Sequence, residues 1–362
     1  MFENFLSVCK DVTKTTRKIP QGEYLSDGTY KIFDQGKNYI GGYCNTANGV
    51  ASDYPYIVFG DHTRVIKYIN EPCYIGADGV KLLKVYNNDF IPKFVYYAML
   101  ANPVEHQGYS RHFKLLKETK IRKYDKSIQN TIIDELDKIN LAISLKESIL
   151  NHLDELVKSR FIEMFGDPLS NSKGYDLSDY GSLFELNAGG TPSKNKPEYW
   201  ENGNISWIGS NMCQDTILYE NDGKYITELG FNNSSARMFP KNTVLVALVG
   251  ATIGKTALLK FETTTNQNVL GIRGIEESGN NPYFVFYYTQ GLHKFFMDIS
   301  DGGFAMASKG FISKLPFPIV DISLQNDFAD FVKLIDKSKF IVQKQIDDLQ
   351  ELLDSKMDEY FG

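Results

Sequence analysis

Residues 325–362 repeat a stretch already spelled out at 129–166. Aligned without a gap, QNTIIDELDKINLAISLKESILNHLDELVKSRFIEMFG and QNDFADFVKLIDKSKFIVQKQIDDLQELLDSKMDEYFG agree at 11 positions, among them Gln129/Gln325, Asp134/Asp330, Glu155/Glu351 and the closing Phe-Gly pairs. A chain that carries one long element twice is committed to a duplicated architecture, which constrains its fold more than any local motif. Apolar residues fall at Ile132, Leu136, Ile139, Ile143, Leu150, Leu153 and Val157 in the first copy, and at Phe328, Val332, Ile335, Val342, Ile346, Leu349 and Leu353 in the second. Steps of three and four predict a helix with a coiled-coil seam. Neither copy has Pro or Gly before the final Phe-Gly, where glycine suits the left-handed residue that ends a helix. Each helix would be about 55 Å long at roughly 1.5 Å per residue. Lys146 interrupts the seam where the second copy has Val342, and Lys339 where the first has Ile143. An isolated heptad pattern would read as a dimerisation coil, but with both helices in one chain, and their blemishes offset, intramolecular antiparallel pairing comes first.

The segments ahead of the two helices also answer one another. In 1–128, short strands are broken by Gly and Asn turns, clearest in YPYIVFGD (54–61), EPCYIGADG (71–79) and VKLLKVY (80–86), with a short helix at 92–100. In 167–324, TVLVALVGATIGKTALLKF (243–261) answers YIVFGDHTRVIKYI and NVLGIRG (268–274) answers VKLLKVY, while NPYFVFYYTQ (281–290) answers IPKFVYYAML. A basic, histidine-bearing segment, QGYSRHFKLLKETKIRK, and a glycine-containing one, DGGFAMASKGFISKLPFPIV, lead into the respective helices. The predicted fold class is α+β: mixed domains at 1–128 and 167–324, joined by long antiparallel helices at 129–166 and 325–362 with a pseudo-twofold repeat. The helices resemble each other and the loops scarcely do, which implies similar partners for the helices and different targets for the domains.

The longest apolar run, 244–250, is too short to cross a bilayer, and no basic-then-apolar signal pattern opens the chain, so a soluble, cytoplasmic protein without a membrane partner is expected. Cys9, Cys44, Cys73 and Cys213 show neither zinc nor disulfide spacing. The net charge of −6 hides a partition: residues 1–128 hold 18 basic and 13 acidic side chains, whereas the last helix holds 5 and 9. A weakly charged module still binds DNA through one local basic face.

Catalytic motifs fail on spacing. GATIGKT (250–256) resembles a phosphate-cradling loop, but Val249 stands where its first glycine must be, so a strand-turn-strand with Gly254 at the turn is expected. NNPYF (280–284) lacks the second proline of a base-flipping methyltransferase loop, and Pro282 is better placed to open a helix. The five histidines have no metal-ligand spacing. What remains is loop chemistry suited to base edges and phosphates. AGGTPSKNKPEYW (188–200) supplies Lys194 and Lys196, ISWIGSNMCQ (205–214) supplies Ser210, Asn211 and Gln214, and Lys255 follows. Asn and Gln pair with adenine, Lys and Arg with guanine and phosphate. In the first domain Arg17, Lys37, Arg64, Arg111, His112 and Lys114 are the candidates.

GGTPSKNKPEYW, then ISWI, LVGATIGKTALL and KLPFPIVDISLQNDF, running in this order into a long helix that ends in EYFG, resemble the specificity (S) subunits of type I restriction-modification enzymes. The resemblance implies two target-recognition domains, double-stranded DNA as ligand and two adenine methyltransferase (M) subunits as partners. A restriction and translocase (R) subunit would be reached through them, and this chain would itself be non-catalytic. S-adenosylmethionine, ATP and Mg would sit on those partners, with no cofactor or metal on this chain. The first domain departs from the pattern, with KTTRKIPQGEYL and KETKIRKYD in place of GGTPSKNKPEYW and KLPFPIVD. The alternative is a scaffold that bridges two proteins through its long helices without DNA.

Overall fold

The computed structural model describes residues 1–108, 110–300 and 306–362, without the side chains of 299 and 300. The start of the glycine-containing segment DGGFA therefore lies outside the described residues. The chain forms two compact units, Met1–Ser148 with Gln343–Gly362, and Ile149–Val342.

Three sheets recur in both units. In the first, strands Cys9–Asp11, Val80–Val85, Tyr56–Gly60 and Ile66–Ile69 lie side by side, all antiparallel. In the second, Glu185–Ala188, Val269–Arg273, Val244–Ala247 and Thr256–Leu259 take the same order, and Thr216–Leu218 adds a parallel edge. The apolar run at 244–247 is buried on both faces, which explains why its letters do not alternate. A second sheet is built on a parallel pair, Tyr30–Phe33 with Cys73–Gly76 and Ile205–Ile208 with Thr263–Thr265. Here the units diverge. Lys18–Ile19 flanks the first pair in parallel, whereas Met238–Phe239 flanks the second antiparallel. The third sheet pairs Phe2–Asn4 with Lys120–Arg122, and Leu177–Asp179 with Pro316–Pro318. KIR and PFP thus do the same work, although their letters share nothing.

The long helices run Lys126–Phe165 and Ile322–Phe361. Gly166 ends the first with φ of 79°, and its N–H reaches Ile162 O at 2.8 Å. Each unit contains the start of one long helix and the end of the other. In the first unit, Lys356 and Tyr360 both reach Glu135, and in the second Lys339 Nζ meets Asp154 Oδ1 at 2.6 Å. Phe328 packs on Phe161 and Phe165, so residues 328 and 339 face 161–165 and 154 in turn, and the second unit's helix segments run antiparallel. The lysine that breaks the seam is matched there by a carboxylate. Within their own units, Ile132, Leu136, Ile139, Val157, Phe328, Val332 and Ile335 are buried, while Ile143, Leu150, Leu153, Val342, Ile346, Leu349 and Leu353 are half-buried.

The glutamine that opens each repeat explains its presence. Gln129 is fully buried; its Oε1 accepts Ile91 N–H at 2.8 Å, and its Nε2 donates to Asp89 O and Tyr124 O. Gln325 does likewise, accepting from Asn281 N at 2.9 Å and donating to Val320 O and Asn280 Oδ1. Ile91 and Asn281 cap helices Pro92–Ala101 and Pro282–Gly291, so one side chain locks a short helix to a long one. Gln129→Leu should cost about 1 to 3 kcal/mol, because the cap N–H is left buried and unpaired. Urea unfolding checks this, and an unmoved midpoint would count against the lock.

Candidate nucleic-acid interface

In the second unit, strands Glu185–Ala188, Ile205–Ile208 and Thr263–Thr265 run out into loops that meet. Gly190 N donates to Thr265 O at 2.8 Å and Asn266 N to Ile208 O at 3.1 Å. The glycine pair is required by closeness, since a Cβ on Gly189 would collide with Thr265 Oγ1, and one on Gly190 with the Ser235 backbone. Two indoles pin the loop that follows: Trp207 Nε1 donates to Gly190 O at 3.2 Å and Trp200 Nε1 to Ser193 O at 3.1 Å. Their rings meet edge-on at 5.2 Å. Thr191 Oγ1 donates to Gln267 Oε1 at 2.6 Å.

On this frame Lys194 is exposed, and Lys196 lies over the Tyr199 ring with its ammonium 3.0 Å from the phenol oxygen. That hydroxyl holds Lys196 above the ordinary lysine range. Ser210 opens the turn Ser210–Met212, which carries Asn211. Lys255 Nζ donates to Gln214 Oε1 at 2.9 Å, and Gln214 Nε2 to Asn211 O at 3.1 Å. Three of the six candidates therefore form one polar network, with Lys194 and Lys196 on the neighbouring loop. Residues Asn266, Gln267 and Asn268 join the same edge, and the amide run TTTNQN was their signal in the sequence. Arg237 is a further addition. Its guanidinium donates to Asn187 Oδ1 at 2.9 Å, beside an open groove of about 630 Å³ that Lys309 also lines.

The first unit is less generous. Lys37 is exposed on the turn after Tyr30–Phe33, and Gln35 on that turn accepts His62 N–H at 3.3 Å and Thr63 Oγ1–H at 2.7 Å. Arg64 leaves that second turn with φ of 63° and donates to Val104 O at 3.1 Å. Arg111 and Lys114 are exposed beside it. His112 does not reach the surface. It is fully buried between Asp61 O at 3.0 Å and Gln107 N–H at 3.2 Å, and ties the basic segment to the loop at Asp61. Its alternation with Arg111 hid a core residue among exposed ones. Arg17 also stands apart, bonded through its backbone to Gly49 O and paired with Glu23 at 3.6 Å.

Among the described residues no cluster of three or more His, Cys, Asp or Glu could hold a metal, and no helix is long and apolar enough to cross a membrane. All four cysteines are buried, and burial pushes the Cys213 thiol up to about 12, which makes it a poor nucleophile. The model of the type I restriction modification DNA specificity domain matches residues 172–351. The chain is also 27% identical over 268 residues to the EcoR124I/EcoR124II type I restriction enzyme specificity subunit of Escherichia coli. Over residues 172–351, just under half of its length, the chain thus matches the DNA specificity domain of type I restriction-modification systems. The E. coli match covers 69% of this chain and 65% of the relative, just short of two thirds of its length. A specificity subunit of Methanocaldococcus jannaschii, MjaIX, is 32% identical over 153 residues, 40% of this chain and 34% of that one. Among solved structures, the S subunit from M. genitalium aligns over 100% of this chain and 96% of its own, with TM-score 0.59 and 15% identity. A chain from work on complex assembly and conformational transition of the type I R-M system gives 0.58 and 13%, covering 100% and 97%. At these identities the likeness speaks for the shared fold.

Proposed function

We propose that this chain is a type I restriction-modification specificity subunit that reads an asymmetric, bipartite target in double-stranded DNA. It recruits two adenine methyltransferase subunits and, through them, a restriction subunit, and catalyses nothing itself. S-adenosylmethionine, ATP and Mg belong to those partners. The carrying observation is that the two units share the order of their main sheets and their helix locks, while the candidate loops carry different polar residues, Lys37, Arg64, Arg111 and Lys114 in one and Lys194, Lys196, Asn211 and Gln214 in the other. A common frame suits a common partner, and unlike loops suit unlike half-sites. Exposed apolar residues on otherwise charged long helices support docking: Leu141 and Leu145 in the first unit, Leu334, Phe340 and Ile341 in the second. Half-sites on one face of the duplex would lie about one helical turn apart, roughly 10 base pairs between centres.

The test is a mobility-shift assay with the co-expressed methyltransferase, together with single-molecule methylome sequencing of a host with and without this gene. A bipartite, unlike-half motif that appears with the gene is expected. Partner binding without DNA binding would favour a scaffold, and a continuous or palindromic motif would refute the half-site reading. Reversing the charge of both Lys194 and Lys196 should weaken binding to all sequences alike and flatten its salt dependence. Unchanged affinity would exclude that loop.

A further inference from the structure

The contact between Lys255 and Gln214 changes what this lysine can do. Lys255 follows Gly254, whose φ of 74° turns the chain back into strand Thr256–Leu259. One residue further on, Asp215 Oδ1 accepts from Thr256 N at 2.9 Å and from its hydroxyl at 3.2 Å. The pairs 214/255 and 215/256 are thus held opposite each other, and the 2.9 Å contact from Lys255 Nζ to Gln214 Oε1 is built on fixed backbone. An ammonium group only donates, so the amide oxygen of Gln214 must face it and the NH2 must face away. That NH2 gives one hydrogen to Asn211 O. One N–H and one oxygen lone pair remain on an exposed side chain. A glutamine presenting both is the partner of adenine N7 and N6 in the major groove.

We infer that Lys255 is a positioning residue: it acts through Gln214, setting the orientation of an amide that reads an adenine edge, instead of neutralising a phosphate. The inference rests on the DNA-reading function proposed above. It separates Lys255 from Lys194 and Lys196, with which the sequence groups it.

The experiment uses the full chain with its co-expressed methyltransferase, and DNA probes covering each single base-pair change in the motif found by methylome sequencing. Lys255→Met should relax discrimination at one base pair by roughly 5- to 150-fold, the same base pair that Gln214→Ala relaxes. Its salt slope should stay that of the unaltered chain. Lys255→Arg, which keeps a cationic donor, should restore discrimination, and the double variant should discriminate no worse than Gln214→Ala alone. Gln214→Glu gives a second readout, since a carboxylate beside Lys255 accepts from cytosine N4 and should move the preference at that position toward cytosine. Uniform weakening of all probes by Lys255→Met, with a flatter salt dependence, would make it a phosphate contact and overturn the inference, as would relaxation at a different base pair. An unaltered complex with no sequence preference overturns the DNA reading and this inference with it.

Discussion

Phe361→Ala should destabilise the first unit by about 3 to 5 kcal/mol, the usual cost of removing a buried aromatic. Phe361 is the penultimate residue of the chain, yet it is only 3% exposed. Its ring lies 5.2 Å from Phe94 in a core that also contains Leu116, Ile132 and Leu136. Phe165, its counterpart in the first helix, sits 4.7 Å from Phe284, so each helix end is a core residue of the unit it reaches. Leu352→Ala is the control. That side chain is 44% exposed, and its loss should stay within about 0.5 kcal/mol. Urea unfolding of both variants measures the difference, and equal midpoints would show that the last turn is not part of the core. Deleting residues 325–362 would therefore open the first unit as well as remove the helix proposed to dock a partner, so partner stoichiometry is better probed at an exposed position such as Phe340.

The repeat made much of this legible, because helical periodicity and a shared Gln-to-Gly frame survive where individual letters drift. The correspondence between strands of the two halves was readable for a related reason: the runs around Tyr56–Gly60 and Val244–Ala247 are both fully buried and therefore both apolar, whereas their order in the sheets was not read from the sequence. The buried glutamines were visible only as identities, since Gln129 and Gln325 look like ordinary polar letters until the capped helices they hold are placed beside them. Short edge strands were the hardest to see. Lys120–Arg122 and Pro316–Pro318 take their conformation from the strands they pair with, not from any propensity of their own. In the candidate interface, the loop containing Asn211 and Gln214 was recognisable by composition. The coupling to Lys255 was not, because it depends on a parallel pairing between Thr216–Leu218 and Thr256–Leu259, elements far apart in the chain. His112 misled because a polar residue between Arg and Phe reads as surface, and only the carbonyl of Asp61 shows where its imidazole is used.

Trp207→Ala should lower DNA affinity by roughly a hundredfold and erase the second half-site from the modified motif while leaving the first intact. Trp207 is 7% exposed and combines two tasks, packing edge-on against Trp200 and donating its indole N–H to Gly190 O. Trp200 in turn holds Ser193 O, so both indoles restrain the loop that carries Lys194 and Lys196. Removing the first ring opens a cavity under the loop and frees both anchors. The freed backbone must then be ordered on binding, and at about 1 to 2 kcal/mol per residue, two residues already account for roughly a hundredfold. Trp207→Phe separates the two tasks, since it keeps most of the packing and gives up one hydrogen bond worth about 1 kcal/mol. Its expected loss is several-fold, with the motif unchanged. Binding isotherms and methylome sequencing read both variants. A folded Trp207→Ala protein that kept its affinity and both half-sites would place the reading surface of the second unit elsewhere.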